Sequence, residues 1–196
     1  NEGTADNQIS GNLIGAGARQ NWDRTANQVG ILIGDSASGT RIGGAAPGGP
    51  PDPAEANAIQ FNLLDGISID GTASGSLIQA NSIRSNLRDG LRLAATLGGR
   101  HRLRANTITA NGGAAIAVDP LGAQIEPPVI ASVDIAAGAA SGLACAGCLV
   151  ELFADAADEA RLPLGTTTAG ANGRWTLAGL NLTLPSEAGL TATATD

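Results

Sequence analysis

The sequence predicts an all-β protein built from stacked parallel strands and followed by a small antiparallel sandwich. Three observations support this fold class. A motif recurs at intervals of 24 and 25 residues, beginning at Asn57, Asn81 and Asn106. Within each copy, apolar and polar residues alternate with the period of two that is typical of a strand. After Asp119-Pro120 the motif stops, and short alternating segments separated by turn residues follow to the end of the chain.

Each copy of the motif is predicted to contain three short strands. In the middle copy these are residues 76–78, 81–84 and 90–93, with Ile78, Ile83, Leu91 and Leu93 pointing inward. One copy cannot bury its inner face, but stacked copies pair strand on strand, about 4.8 Å apart, and share one core. We expect the asparagines at the strand junctions to adopt left-handed backbone geometry and to hydrogen-bond amide to amide between copies.

The motif also carries a family resemblance. The pattern N-x-I-x-x-N followed by G-I-x-I, together with Gly39-Thr-Arg-Ile-Gly-Gly44, resembles the repeats of secreted bacterial right-handed parallel β-helix proteins, which are related in fold to pectate lyases. The resemblance covers about residues 1–125 and implies a short right-handed parallel β-helix of about four rungs. It implies no single activity, because this fold carries lyases, hydrolases, adhesins and inert spacers.

A second domain is predicted after Glu126-Pro127-Pro128, because consecutive prolines mark a linker. The expected domains are therefore 1–125 and 126–196. Alternation predicts strands at 129–135, 148–153, 164–169, 175–177 and 190–195. Asn172-Gly173 predicts a hairpin turn, and Phe153, Trp175 and Leu177 are expected in the core. The segment resembles the bacterial Ig-like β-sandwich domains that follow such β-helices. We expect it to belong to a longer chain, with its last strand continuing beyond Asp196.

Cys145 and Cys148 flank a short turn that contains a glycine. In a secreted β protein, the simplest interpretation is a small disulfide that rigidifies the entry to the strand after it. A zinc site would need two more ligands, and the single histidine, His101, belongs to the other domain. A redox dithiol would normally lie at a helix N-terminus in a βαβ unit, which the pattern does not show.

Four carboxylates are candidates for catalysis or cation binding. Asp65 and Asp89 occupy equivalent positions one repeat apart, where stacked carboxylates could hold a hard cation. The next copy has Ala114 there, so we favour solvated turns for both. Asp70 and Asp119 precede Gly71 and Pro120 and are also predicted in turns, away from a strand face. We therefore assign no catalytic residue, no metal ligand and no cofactor.

Arginine placement gives a candidate binding surface. Ile42, Ile78 and Leu103 are the expected inward residues of equivalent strands, so Arg41, Arg102 and Arg104 point outward on one face, beside Leu77 and Gln79. Guanidinium groups pair bidentately with carboxylates, so an acidic sugar or an acidic protein surface could dock there. The interpretation that we favour from the sequence is that these are outward polar residues that keep the stack soluble. An earlier and looser copy of the motif begins at Asn7, and Trp22 lies in its insertion between Asn12 and Gly30. Trp22 either packs over the stack, which we favour, or contacts a ligand. His101 is expected to be solvent-exposed.

Charge and composition narrow the function classes. The net charge is −7 and all eleven basic residues are arginine, which argues against a nucleic-acid module. No apolar run is long enough for a membrane span. We expect a non-enzymatic structural or binding segment of a larger secreted or cell-surface bacterial protein. Its partners would be a polysaccharide or surface protein, other domains of the parent chain, and a second copy paired through open strand edges. The alternative is a polysaccharide-active lyase or glycoside hydrolase.

Overall fold

The computed structural model describes residues 3–15, 26–44, 50–94, 100–119, 126–155, 159–182 and 189–195. Over these residues the chain is nearly all β, and its helical residues are the short 3-10 helix Pro53–Glu55. The chain divides into two compact units, Asn1–Ala123 and Gln124–Asp196. Within the described ranges, no helix is long and apolar enough to cross a membrane.

The first unit contains short strands of two or three residues. They are β1 (Gln8–Ile9), β2 (Leu13–Gly15), β3 (Ile31–Ile33), β4 (Arg41–Gly43), β5 (Ala58–Gln60), β6 (Ile67–Ile69), β7 (Leu77–Gln79), β8 (Ser82–Arg84), β9 (Leu91–Leu93), β10 (Arg102–Arg104), β11 (Thr107–Thr109) and β12 (Ile116–Val118). Every third strand pairs in parallel. The resulting four-stranded sheets are A (β1-β4-β7-β10), B (β2-β5-β8-β11) and C (β3-β6-β9-β12). Three stacked parallel sheets of this kind are compatible with a parallel β-helix.

The core of this unit is a set of stacked aliphatic side chains. In sheets A and B the middle residue of each strand points inward, as Ile78 and Ile83 do. In sheet C the first and third residues point inward, so Ile67 and Ile69 are fully buried while Leu32, in the middle of β3, is exposed. The register places Ile42 beside Ile78, so each inward residue packs on its equivalent in the next layer. The predicted inward positions Ile78, Ile83 and Leu91 are confirmed as buried.

Two ladders of asparagine run through the stack at the strand junctions. One contains Asn12, Asn57, Asn81 and Asn106, and the other Asn27, Asn62, Asn86 and Asn111. The Nδ2 of Asn57 donates to Oδ1 of Asn81 over 2.9 Å, and Asn81 donates to Asn106 over 3.0 Å. The Nδ2 of Asn81 also donates to the carbonyl of Ile42. The predicted amide-to-amide bonding is therefore confirmed.

The predicted left-handed geometry of these asparagines is wrong. The positive φ angles belong to the residue before the asparagine, at Phe61, Ser85 and Ala110 in one ladder and at Ala80 and Ala105 in the other. The preceding residue makes the sharp bend between strands. The asparagine then follows with an ordinary φ, which leaves its amide free to satisfy backbone groups at the corner.

The second unit contains six antiparallel strands in the described residues. They are β13 (Val129–Asp134), β14 (Ala139–Leu143), β15 (Leu149–Asp155), β16 (Leu162–Thr168), β17 (Arg174–Ala178) and β18 (Gly189–Thr195). Sheet D has the order β13-β14-β17 and sheet E the order β16-β15-β18. Both sheets contribute to one core cluster, in which Val150 and Leu152 of β15 accompany Trp175 of β17. The predicted burial of Phe153 and Trp175 is confirmed.

Two predictions for this unit are wrong. Strand β14 was not predicted, because Ala139–Leu143 consists mainly of small residues without alternating apolar character. The hairpin expected at Asn172-Gly173 does not form, since β16 lies in sheet E and β17 in sheet D. The turn itself is present, with the N–H of Gly173 donating to the carbonyl of Gly170. A turn motif specifies the local bend but does not specify which strands pair beyond it.

Cys145 and Cys148 form a disulfide, as predicted. It closes the turn before β15, where the N–H of Cys148 donates to the carbonyl of Cys145. The backbone of Cys148 also accepts from the N–H of Ala169, so the turn is tied to the end of β16. Cys148 is fully buried.

Candidate functional site: an arginine-lined groove on sheet A

The outward side of sheet A carries side chains in rows across the strands. The register aligns Gln8, Arg41, Leu77 and Arg102 in one row. It aligns Gly43, Gln79 and Arg104 in the next row. Arg41 and Arg102 lie two strand spacings apart, about 10 Å along the stack. Arg102 and Arg104 lie on the same strand and the same face, about 7 Å apart.

A row of bends borders these strands on their N-terminal side. Backbone bridges join Ala5 to Ser38 and Ser38 to Ser74, so the residues that follow them, Asp6, Gly39 and Gly75, are equivalent. All three have left-handed backbone geometry, with φ of 55°, 64° and 64°. The space where a side chain would lie is open at Gly75, whereas at Gly39 it is filled by the carboxylate of Asp6.

Together the two rows and the bends enclose a cavity of about 590 Å³. It is lined by four arginines, one aspartate, two glycines and Leu77. The arginines are Arg41, Arg100, Arg102 and Arg104, and the aspartate is Asp6. The volume falls within the range of ordinary ligand pockets, roughly 300–1,000 Å³. Because arginine stays protonated in proteins, this cavity is strongly positive in a chain whose net charge is −7.

Two of the groove arginines, Arg102 and Arg104, form no salt bridge with the described carboxylates. The Nη2 of Arg41 donates to Oε1 of Gln8 over 2.7 Å, which is a neutral acceptor. The salt bridges among the described residues lie elsewhere and join Arg88 to Asp65 and Arg92 to Asp89. Neither Arg102 nor Arg104 has a carboxylate within salt-bridge distance in the described part of the chain. Their positive charge is therefore available to an external anion.

His101 lies between the groove residues Arg100 and Arg102 in the sequence. The prediction that its side chain is solvent-exposed is wrong. Its side chain is partly buried, and Nδ1 accepts from the N–H of Ser76 over 3.4 Å. Burial lowers the pKa of His101, and a backbone hydrogen bond with Ala73 acts in the opposite direction. The imidazole is therefore held neutral at pH 7, where it ties the segment that carries Arg100 and Arg102 to the preceding layer.

Gln79 was expected on the outer face beside the arginines, but it is only 1% exposed. Its Nε2 donates to the carbonyl of Gly44 over 2.7 Å. Leu77, the other residue expected there, is also buried, although it lines the groove. The side chains of Leu77 and Gln79 are therefore packed beside the arginines and shielded from solvent.

Asp65 and Asp89 have structural roles. Asp65 is buried, and its Oδ1 accepts from the N–H of Asp89 over 3.1 Å. Asp89 in turn accepts from the N–H of Ala114 over 2.9 Å. The expectation of a solvated turn is therefore wrong for Asp65, whose carboxylate satisfies a backbone donor of the next layer. Among the residues that the structure describes, no group of three His, Cys, Asp or Glu side chains could hold a metal ion.

The structure brings together three of the four predicted binding residues, namely Arg41, Arg102 and Arg104. Trp22 lies outside the described residues. Sequence reasoning missed Arg100, Asp6 and the two glycines. The alternation Arg100-His-Arg-Leu-Arg104 was a usable signal for the first, because every second residue of a strand shares a face. No known protein family matches this sequence, and no curated protein is significantly similar to it.

Proposed function

We propose that the chain is a non-enzymatic binding segment of a secreted or cell-surface bacterial protein, and that its arginine-lined groove binds an acidic polysaccharide. In this proposal residues 1–125 form a right-handed parallel β-helix and residues 126–196 an Ig-like sandwich. The three parallel sheets and the shared core of sheets D and E support that assignment. The disulfide supports an oxidising compartment.

The observation that carries the proposal is the composition of the groove. Four arginines and one aspartate line a cavity of about 590 Å³. Clustered cations in a concave site attract anions and focus the local electric field. An extended sugar chain suits a groove formed by strand rows, because equivalent positions of neighbouring strands follow one another about 4.8 Å apart along the stack.

The described carboxylates favour binding over cleavage. Glycoside hydrolysis in its usual form needs two carboxyl groups facing the scissile bond. Among the described residues, Asp6 is the one carboxylate that lines the groove. Asp65 and Asp89, which are buried or bonded to backbone amides, already have structural partners. A polysaccharide-active enzyme stays the alternative that a turnover assay would reveal.

Binding to immobilised acidic polysaccharides tests the proposal. Polygalacturonate and dextran sulfate are the acidic probes, and neutral dextran is the baseline. The wild-type chain should bind the acidic probes at low salt and lose affinity as salt rises, because screening weakens charge attraction. Arg102→Ala combined with Arg104→Ala should lower the affinity at least about tenfold, since each charge-assisted hydrogen bond is worth about 1.5–3 kcal/mol.

The matched control removes two exposed arginines from the second unit, Arg161→Ala with Arg174→Ala. It changes net charge by the same amount and leaves the groove intact, so its affinity should equal that of wild type. The proposal is contradicted if no acidic polysaccharide binds. It is equally contradicted if the two double variants lose the same affinity, because binding would then follow net charge alone.

A further inference from the structure

The positive charge of the groove is concentrated at one end. Arg100, Arg102 and Arg104 come from a single segment of five residues and line the same cavity. Arg102 and Arg104 point to the same side of β10, since alternate residues of a strand share a face. Arg41 lies two strands away, on β4. The groove thus has one end with three arginines and another with Arg41 and Asp6.

The end of the groove formed by Arg100, Arg102 and Arg104 is called the crowded end. The number of guanidinium groups there decides which kind of anion fits best. A carboxylate has two oxygens and one negative charge, and one arginine can bind both oxygens in a bidentate pair. A second or third arginine beside the same carboxylate has to share those two oxygens with the first. A sulfate or phosphate ester has three free oxygens. A sulfate ester carries one negative charge, like a carboxylate, and a phosphate monoester carries about −1.5 to −2 charges at pH 7. A tetrahedral ester can therefore accept from two or three guanidinium groups at once.

The floor of the groove has room for the sugar that would carry the ester. A Cβ atom built at Gly75 would have one neighbour within 4 Å, the backbone nitrogen of Gly39 at 3.7 Å. A Cβ at Gly39 would instead collide with Oδ1 of Asp6. The hollow above Gly75 therefore lies directly beside the row of Leu77 and Arg102, where a pyranose ring can contact apolar and charged lining together.

We propose that the groove selects sugar chains bearing tetrahedral oxyanion esters, sulfate or phosphate, over chains bearing carboxylates, and that the ester lies at the end formed by Arg100, Arg102 and Arg104. This inference rests on the proposed function and names its ligand class. The Asp6 end disfavours a second anion, so the preferred ligand carries its ester at the crowded end and uncharged sugar over Gly75.

Three derivatives of one polymer separate the anion from the sugar. Dextran sulfate, dextran phosphate and carboxymethyl-dextran, matched in length and degree of substitution, are compared by isothermal titration at physiological salt. The sulfate or the phosphate derivative should bind at least about tenfold more tightly than the carboxymethyl derivative. Comparison of sulfate with phosphate distinguishes the two sources of the ester.

Two variants test where the selectivity originates. Arg102→Lys with Arg104→Lys keeps the charge but removes the planar guanidinium groups, so the preference for esters over carboxylates should shrink to about twofold or less.

Gly75→Asn keeps every charge, and asparagine tolerates a left-handed backbone. The substitution places a side chain in the hollow, so ester binding should weaken at least about tenfold. Gly11→Asn is its matched control. Gly11 has φ of 69° and no atom within 4 Å of an added Cβ.

The outcomes distinguish this inference from the proposed function. Equal or tighter binding of carboxymethyl-dextran would overturn the ester preference while leaving acidic-polysaccharide binding in place. Failure of all three derivatives to bind would overturn both. Wild-type affinity for the ester derivatives in Gly75→Asn, with Gly11→Asn also unchanged, would place the binding site outside the groove and overturn the assignment to these residues.

Discussion

The two units of this chain stabilise β structure in different ways. In the first unit the same residue type recurs at the same place in each layer, and buried asparagine amides link layer to layer. In the second unit a single apolar cluster around Trp175 joins two antiparallel sheets. The first unit therefore adds many equivalent polar contacts to its aliphatic core, whereas the second depends on a few large side chains.

This difference explains why a binding site can occupy the first unit without disturbing its core. The inward residues and the asparagine ladders hold each layer, so the outward positions of sheet A are free to vary from strand to strand. The row that contains Arg41, Leu77 and Arg102 shows such variation. A concave site arises where glycines replace larger residues at the adjoining bends.

The largest effect is expected from removing the centre of the apolar core. Trp175→Ala should destabilise the second unit by about 3–5 kcal/mol, because it leaves a cavity among side chains that cannot fully collapse. The loss is measured by urea unfolding with hydrogen exchange monitored in each unit. Trp175→Phe is the control. It retains a ring and removes an indole N–H that has no hydrogen-bond partner among the described residues, so it should cost much less. If both variants lose the same free energy of unfolding, the volume of the Trp175 side chain is not what stabilises the core.

A somewhat smaller effect is expected from breaking a polar ladder. Asn81→Ala should destabilise the first unit by about 3 kcal/mol, since the N–H and Nδ2 of Asn57 lose their acceptor and the carbonyl of Ile42 loses a donor. The same unfolding experiment measures it. Asn12, at the exposed end of the same ladder, supplies the control, and Asn12→Ala should cost about 1 kcal/mol or less. If the two substitutions cost the same, buried amide pairing is not what holds the layers together.

The smallest effect concerns the histidine beside the groove. The pKa of His101 is lowered by burial, so the unfolded chain binds more protons than the folded chain below the ordinary value of 6.5. The contribution of His101 to stability is therefore complete above pH 6.5 and is lost as pH falls below it. In His101→Asn the side-chain oxygen can still accept from Ser76 but does not titrate. The difference in unfolding free energy between wild type and variant should change between pH 7 and 5, and parallel curves would contradict this.

Much of the first unit was predictable because its information is local and repeated. The period of the motif predicted the layers. The alternation within each strand predicted the inward residues, such as Ile78, and the shared face of Arg41 and Arg102. The burial of Asp65 and Gln79 was not predictable, because both depend on hydrogen bonds to neighbouring layers or corner carbonyls. Polar residue type alone indicates solvent unless the acceptor or donor across the layer is known.

Sequence by itself determined the strand period, the stacking of equivalent positions, the disulfide between Cys145 and Cys148 and the outward placement of the arginines. Tertiary structure alone decided the pairing of β14 with β17, where Gly142 lies beneath the Trp175 ring, and the closure of the groove by Asp6, Gly39 and Gly75. The physical reason is the range of the interactions. Alternation and repetition act between neighbours in sequence, whereas strand partners and cavities form between residues that only the folded chain brings together.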